Sequence, residues 1–417
     1  MQPAGRDAGD RTGRADRRGA GRRRAGARQP APCRGTAAFR RVLAALLERL
    51  AGHLGRAWRG PRRLGSVPRP AAAAPCGACP AARGPAGAQQ RPQAGAGAQA
   101  LLPGRARSCD RGGDLAPARS PVPVTGLLPA LDRPVFIVAA PRSGSSLLFE
   151  MLSRASALWT LGGEARAEFE TVPRWNPRQR GYDSNRLTAG DLGLGDRAQL
   201  LLAMSRRLRN SEGVRWRALT AEARPGCLRF LEKTPKNALR VPLLRTLFPD
   251  ARFIFLLRDP RDNVSSILEA WRSGRFVNYR DLPDWPGPPW SLLLPPGWRE
   301  LRGASLERIA AFQWRAANEI ALNDLLALPG SDWCALRYED LLAAPAAAVA
   351  QLCSFMEVPC CLGLQAAVAS DLPPSQHTLT PPAPGKWRQN EAQIRSVLPG
   401  LEETWARLQA LPALGAQ

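Results

Sequence analysis

The chain of 417 residues carries 59 basic against 35 acidic side chains, a formal charge of +24. The excess is uneven: residues 1–120 hold 24 Arg, no Lys and 6 acidic residues, whereas residues 121–417 hold 35 basic and 29 acidic ones and are long enough for one large core. Nine scattered cysteines, odd in number, exclude a disulfide framework and suit a reducing compartment.

From Met1 to about Pro121 the chain is dominated by Ala, Gly, Arg and Pro, a composition that buries too little apolar surface to offset chain entropy. Residues 1–121 are therefore expected to be a disordered basic segment. Ala38–Trp58 has apolar residues at helical spacing with Arg on the other face. It reads as a surface helix for anionic lipid or nucleic acid, or as a marginal helix without a role, which we prefer. The apolar run Val42–Leu47 is broken by Glu48 and is too short for a membrane span or a signal-peptide core. Cys76 and Cys79 lack a second ligand pair, so no metal site is expected. The segment as a whole fits a disordered arm, an organellar targeting peptide or translation from an upstream start.

Residues 122–417 read as an α/β domain. Val135–Ala139 is an apolar, β-branched run expected to be a buried strand, and Ser145–Leu152 opens a helix. Between them Pro141-Arg142-Ser143-Gly144 makes a small-residue loop. Strand, loop and helix N-terminus present backbone N–H groups and a positive dipole end to one anion. On the nucleoside-triphosphate loop pattern, Gly144 and Ser146 fit, but Ala139 replaces the first Gly and Ser145 replaces the Lys. The loop suits a phosphate-like group without an ammonium for a triphosphate tail.

A short strand at Ala157–Leu161 delivers Glu164 to the sheet's C-terminal edge, with Glu168 and Glu170 on a following helix read as solvated. Residues 175–195 read as a surface excursion, and Arg197–Arg209 as a helix. Leu228–Glu232 is a further strand ending at Lys233, with Thr234 expected to cap a helix that starts at Pro235. Ala251–Leu257 is the clearest core strand. It ends at Arg258, with Asp259 capping a helix from Pro260 that carries Ser266 two turns in. The Pro/Trp-rich stretch 283–298 reads as a lid or acceptor wall with candidate contacts Trp285, Trp290 and Trp298. Ser305–Leu326 is a long helix, and Trp333–Leu341 a strand ending near Tyr338. Only three basic residues are Lys, namely Lys233, Lys236 and Lys386. An ammonium is a compact, titratable charge where Arg is not, so these three are candidates for work beside a reacting group.

Pro-Arg-Ser-Gly-Ser-Ser-Leu-Leu at 141–148, Glu164 in Gly-Gly-Glu-Ala-Arg, Lys233 in Lys-Thr-Pro-Lys, and Arg258 with Ser266 resemble, in order, the motifs of sulfotransferases that use 3′-phosphoadenosine 5′-phosphosulfate (PAPS). The bacterial and tyrosylprotein-type branch is the most similar, and the resemblance covers about residues 132–410. It implies a P-loop-like three-layer α/β sandwich with a mainly parallel sheet. It also implies a sulfuryl transfer from PAPS to an acceptor hydroxyl or amine, without a metal. Arg142, Ser143, Gly144, Ser145, Ser146 and Leu147 would hold the phosphosulfate, Glu164 would act as base, and Lys233 would stabilise charge on the bridging oxygen. Arg258 and Ser266 would bind the 3′-phosphate, Tyr338 would approach the nucleotide, and Lys386, Trp387 and Arg388 would close over it. Lys236 is expected to point away or bind the acceptor. His377, the domain's only His, comes too late in the chain to match the base of phenol-type relatives.

The acceptor is a small molecule, carbohydrate, lipid or peptide on this reading, nucleic acid is not an expected partner, and the cytoplasm is the expected compartment. The competing readings are a small-molecule kinase or NTPase, and a basic protein binding nucleic acid or membrane through residues 1–120.

Overall fold

The computed structural model describes residues 128–369, 374–381, 383, 385–412 and 414. The helix at 38–58, the Cys76–Cys79 pair and the boundary at 121 lie outside the described residues. The strands are β1 (Val135–Ala139), β2 (Leu158–Trp159), β3 (Arg229–Lys233), β4 (Arg252–Leu257), β5 (Val277–Tyr279), β6 (Trp290–Ser291) and β7 (Trp333–Arg337). Five of them form a parallel sheet in the order β2-β3-β1-β4-β7, and β5 pairs antiparallel with β6. The helices are α1 (Ser145–Leu152), α2 (Arg166–Glu170), α3 (Asp196–Ser205), α4 (Val241–Leu247), α5 (Pro260–Ser273), α6 (Leu306–Leu326), α7 (Tyr338–Ala343), α8 (Pro345–Met356), α9 (Leu362–Ala369), α10 (Glu391–Val397) and α11 (Glu402–Gln409).

The strands are near-continuous apolar runs because a parallel sheet is buried on both faces. Val135, Ile137 and Ala139 join Leu231, Ile254 and Leu336 beneath α1 and α8. The alternate residues face the other way: the Phe136 ring lies 5.8 Å from both Phe248 and Phe253 and 6.5 Å from Phe230, on the face covered by α6. Helices on both faces of the sheet give the three-layer α/β architecture expected from the sequence.

Three local expectations differ from the structure. The excursion at 175–195 is anchored as well as exposed, since Trp175 and Leu187 are buried and Asn185 exchanges backbone and side-chain bonds with Leu294. The helix expected to reach Arg209 ends at Ser205, because Arg209 instead exchanges two 2.9 Å backbone bonds with Thr160. Cys227 is disulfide-bonded, while Cys334, Cys353, Cys360 and Cys361 are free.

The Pro/Trp-rich stretch is a further departure. Its indoles do not line a cleft; Trp290 and Trp298 are fully buried in a hub with Trp271 and the half-buried Trp285, at centroid distances of 5.0–5.9 Å. Each buried N–H has a partner: Trp290 donates to the Leu293 carbonyl at 2.8 Å, Trp298 to that of Tyr182 at 2.9 Å, and Trp271 to Gln313 Oε1 at 2.9 Å. A stretch with many prolines gains little from backbone pairing, and the indoles supply the missing packing. Trp290→Ala should therefore lower the free energy of unfolding by about 3–5 kcal/mol in a urea titration, the usual cost of removing a buried large aromatic.

Candidate functional site

Parallel pairing brings the C-terminal ends of all five strands to one edge, where a pocket of about 400 Å³ opens. Its lining carries six cations (Arg142, Arg166, Lys236, Arg258, Arg275, Lys386) against three carboxylates (Glu164, Asp262, Glu269). The loop after β1 runs through its middle. Gly144 has φ +92°, and a Cβ there would meet the Tyr338 ring at 2.3 Å, so both the turn and the close approach require glycine. Arg142 also has positive φ (66°). Ser143 does not face the pocket: its buried hydroxyl bonds the Ala140 carbonyl at 2.8 Å and Asn263 Oδ1 at 2.7 Å, while Asn263 Nδ2 donates to the Pro141 carbonyl at 2.8 Å. The Ser143 side chain thus braces the loop, which leaves its backbone N–H as the group it could offer a ligand. Ser145, Ser146 and Leu147 line the pocket.

On the β4 and β7 side, Asp259 accepts from the Arg261 N–H and caps α5 as expected. Arg258 directly follows β4, donates from Nη1 to the Arg142 carbonyl at 2.9 Å and stacks 4.8 Å over the Tyr338 ring. Its buried Nε has no hydrogen-bond partner. Arg142 reaches Ser266 Oγ at 3.4 Å and the His377 carbonyl at 2.8 Å, over the Phe276 ring at 4.7 Å. Neither guanidinium has a carboxylate within ion-pair distance among the described residues. Burial and the neighbouring Arg258 lower Arg142 to about 10. Two desolvated cations side by side, one with an orphaned donor, form a site that an anion completes.

On the β2 and β3 side, the Lys233 ammonium is 3% exposed and donates to Ser146 Oγ at 3.0 Å and Glu164 Oε1 at 2.9 Å. One side chain thereby joins the loop helix, β3 and the segment after β2. That segment is fixed by Glu232, which sequence reasoning passed over. This fully buried carboxyl accepts from the Ala165 N–H at 3.1 Å, from Thr234 Oγ1 and from Asn237 Nδ2. Desolvation raises it to about 7. A Glu within a strand buried on both faces was the available signal. Thr234 gives its hydroxyl to Glu232 and accepts from the Ala165 N–H, so it makes no cap, and Pro235–Leu239 forms a 3₁₀ turn. Glu168 is not solvated: Arg207 holds its buried carboxylate at 2.9 and 3.1 Å. Lys236 turns into the pocket, 5% exposed, above the Tyr279 ring at 5.2 Å.

The pocket's walls are Phe276, Val277, Leu292 and Leu293. Leu292 has φ +65°, a strained backbone for a leucine. Lys386 and Trp387 line the pocket from the C-terminal segment. Lys386 bonds Thr380 and approaches Glu269 Oε2 at 3.6 Å. Arg388 is exposed, absent from the lining and stacked 5.2 Å from the Trp387 ring, so the structure does not bring it to the site. His377 lines the pocket but engages Arg142 through its backbone. No cluster of three His, Cys, Asp or Glu residues suited to a metal occurs among the described residues. No described helix is long and apolar enough to cross a membrane.

A model of the sulfotransferase family matches residues 134–361, more than half of the chain. No curated protein matches it. Solved structures with a distant likeness include a sulfotransferase from Alicyclobacillus acidocaldarius (17% identity, 67% of this chain and 97% of that one, TM-score 0.37). Others are STF9 from Mycobacterium avium (17%, 68% and 79%, 0.37) and mouse sulfotransferase SULT7A1 complexed with PAP (13%, 69% and 87%, 0.36).

Burial, together with the cations of Arg166 and Arg240, lowers Lys236 to about 7. A lysine titrating below its unfolded value costs stability in full below pH 7, and the cost fades as pH rises towards the ordinary lysine range. Lys236→Met should therefore stabilise the fold by about 1–4 kcal/mol at pH 6, with a smaller gain at pH 9, read by urea denaturation at both pH values.

Proposed function

Because the chain belongs to the sulfotransferase family, we propose that this pocket transfers the sulfuryl group of PAPS to an acceptor hydroxyl. The observation that carries the reading is the Lys233 ammonium, bonded at once to Ser146 at the loop helix and to Glu164. A cation, an anion-binding loop and a carboxylate meet at one point, which is what a transfer of a charged group to an oxygen nucleophile needs.

PAPS supplies an activated sulfuryl group on a leaving bisphosphate nucleotide. The residues present fit it: the orphaned Arg258 Nε, Arg142 and Ser266 suit a phosphate, and the Gly144 turn into α1 suits the phosphosulfate. Tyr338 and Trp387 offer ring faces, and Lys386 adds charge. Glu164 takes the acceptor's proton as the acceptor oxygen bonds to sulfur. The bond from sulfur to the bridging oxygen breaks, and Lys233 stabilises the charge that develops there. Glu232 holds the Ala165 N–H, and so keeps Glu164 beside Lys233. The pocket's apolar walls suit a small molecule, or the reactive end of a larger lipid, carbohydrate or peptide.

Calorimetry on the full chain tests the donor. PAP should bind, and Arg258→Ala should weaken it about ten- to a hundredfold, the worth of a hydrogen bond to a charged group. Preference for Mg-ATP over PAP would return the loop to the kinases. Glu164→Gln should lower kcat about 10²–10⁴-fold with PAP affinity retained; unchanged turnover would remove Glu164 as the base.

A further inference from the structure

We propose that the acceptor carries, beside the hydroxyl to be sulfated, a carboxylate that docks on Lys236 at the β3 side of the pocket. This rests on the sulfotransferase reading and adds a substrate class to it.

The Lys236 ammonium can donate three hydrogen bonds and makes none, although it is 95% buried. The carboxylate oxygen beside it is Glu170 Oε1 at 3.9 Å, and that oxygen already accepts from Arg166 Nε at 3.0 Å. Behind Lys236, the fully buried Arg240 leaves its Nη1 without a partner as well. Arg166 and Lys236 therefore share Glu170 while the Arg240 charge also bears on Lys236, and both Lys236 and Arg166 line the pocket. Such a group is costly to leave unpaired.

The donor's own anions do not fill this gap. In the sheet order, β3 and β2 lie on one side of the β1 loop, and β4 and β7, which carry Arg258 and Tyr338, lie on the other. Lys236 follows β3, so it sits on the side of Glu164 and away from the phosphate-type ligands. The same pocket is lined by Phe276, Val277 and Leu293, which suits an apolar body joining the hydroxyl to the carboxylate. An arriving carboxylate would satisfy the ammonium and restore the charge that burial discourages. The Tyr279 ring, 5.2 Å from the ammonium, offers its π face but no hydrogen-bond acceptor, so the three donors of Lys236 stay without a partner.

The test is calorimetric titration of the full chain with 4-hydroxyphenylacetate and with its methyl ester, each with and without saturating PAP, for the wild type and for Lys236→Met. The acid should bind about tenfold or more tighter than the ester. Lys236→Met should lose that preference while its PAP affinity stays that of the wild type, which also shows that the variant is folded. Equal binding of acid and ester, failure of the acid to bind, or a preference that survives Lys236→Met would overturn the proposal. Failure of PAP to bind would instead refute the donor reading, and the acid–ester comparison without nucleotide keeps the two failures distinct.

Discussion

In the register of the central sheet, Ile137 lies opposite Lys233 and Ala139 opposite Leu256, while Leu257 lies opposite Arg337. This pairing makes Lys233, the Gly144 loop and Arg258 emerge side by side, because Lys233 is the last paired residue of β3 and the loop and Arg258 come just after the last paired residues of β1 and β4. A one-residue slip would turn every strand's side chains to the opposite face. The phenylalanines around Phe136 and the aliphatic residues beneath α1 differ enough in shape to forbid it. The core thus sets the spacing of the charges at its rim.

Those charges are arranged at a cost. Arg142 and Arg258 are half-buried without a carboxylate partner among the described residues, Lys236 is buried with Glu170 only at 3.9 Å, and the Lys233 ammonium divides itself between Glu164 and the loop hydroxyl of Ser146. A protein selected only for stability would pair such groups or replace them with apolar side chains. Their retention next to a pocket is the signature of a site whose missing anions arrive with ligands. Hydrogen bonds among neutral groups, such as Ser143 to Asn263, hold the loop so that the cations stay free for this.

Much of this was legible in the sequence. The strands at 135, 229, 252 and 333, the loop, the Asp259 cap and the placement of Lys233 and Arg258 at the sheet's C-terminal edge follow from apolar runs and from residue types at strand ends. What was not legible depends on partners distant in sequence. The bracing use of the Ser143 hydroxyl could not be read from the loop, because Asn263, 120 residues later, claims it. Thr234 looked like a cap until Glu232 competed for it. Glu168 looked solvated because Arg207, 39 residues on, cannot be assigned to it from spacing. The indoles at 285–298 offered two uses, and only packing decides between wall and core.

The indole hub also bears on how this site can change over generations. Val277, Leu292 and Leu293 belong to the β5–β6 hairpin and its exit, and the hub of Trp271, Trp290 and Trp298 pins that backbone, including the unfavourable conformation at Leu292. On the proposed reading, with the backbone under the wall held, the size and shape of those wall side chains would govern which acceptors enter. Exchange of those side chains can re-tailor the pocket one methylene at a time without disturbing the anion-binding rim. The fold therefore separates two parts of the pocket: a rim set by charge geometry and a wall set by the volume of its apolar side chains.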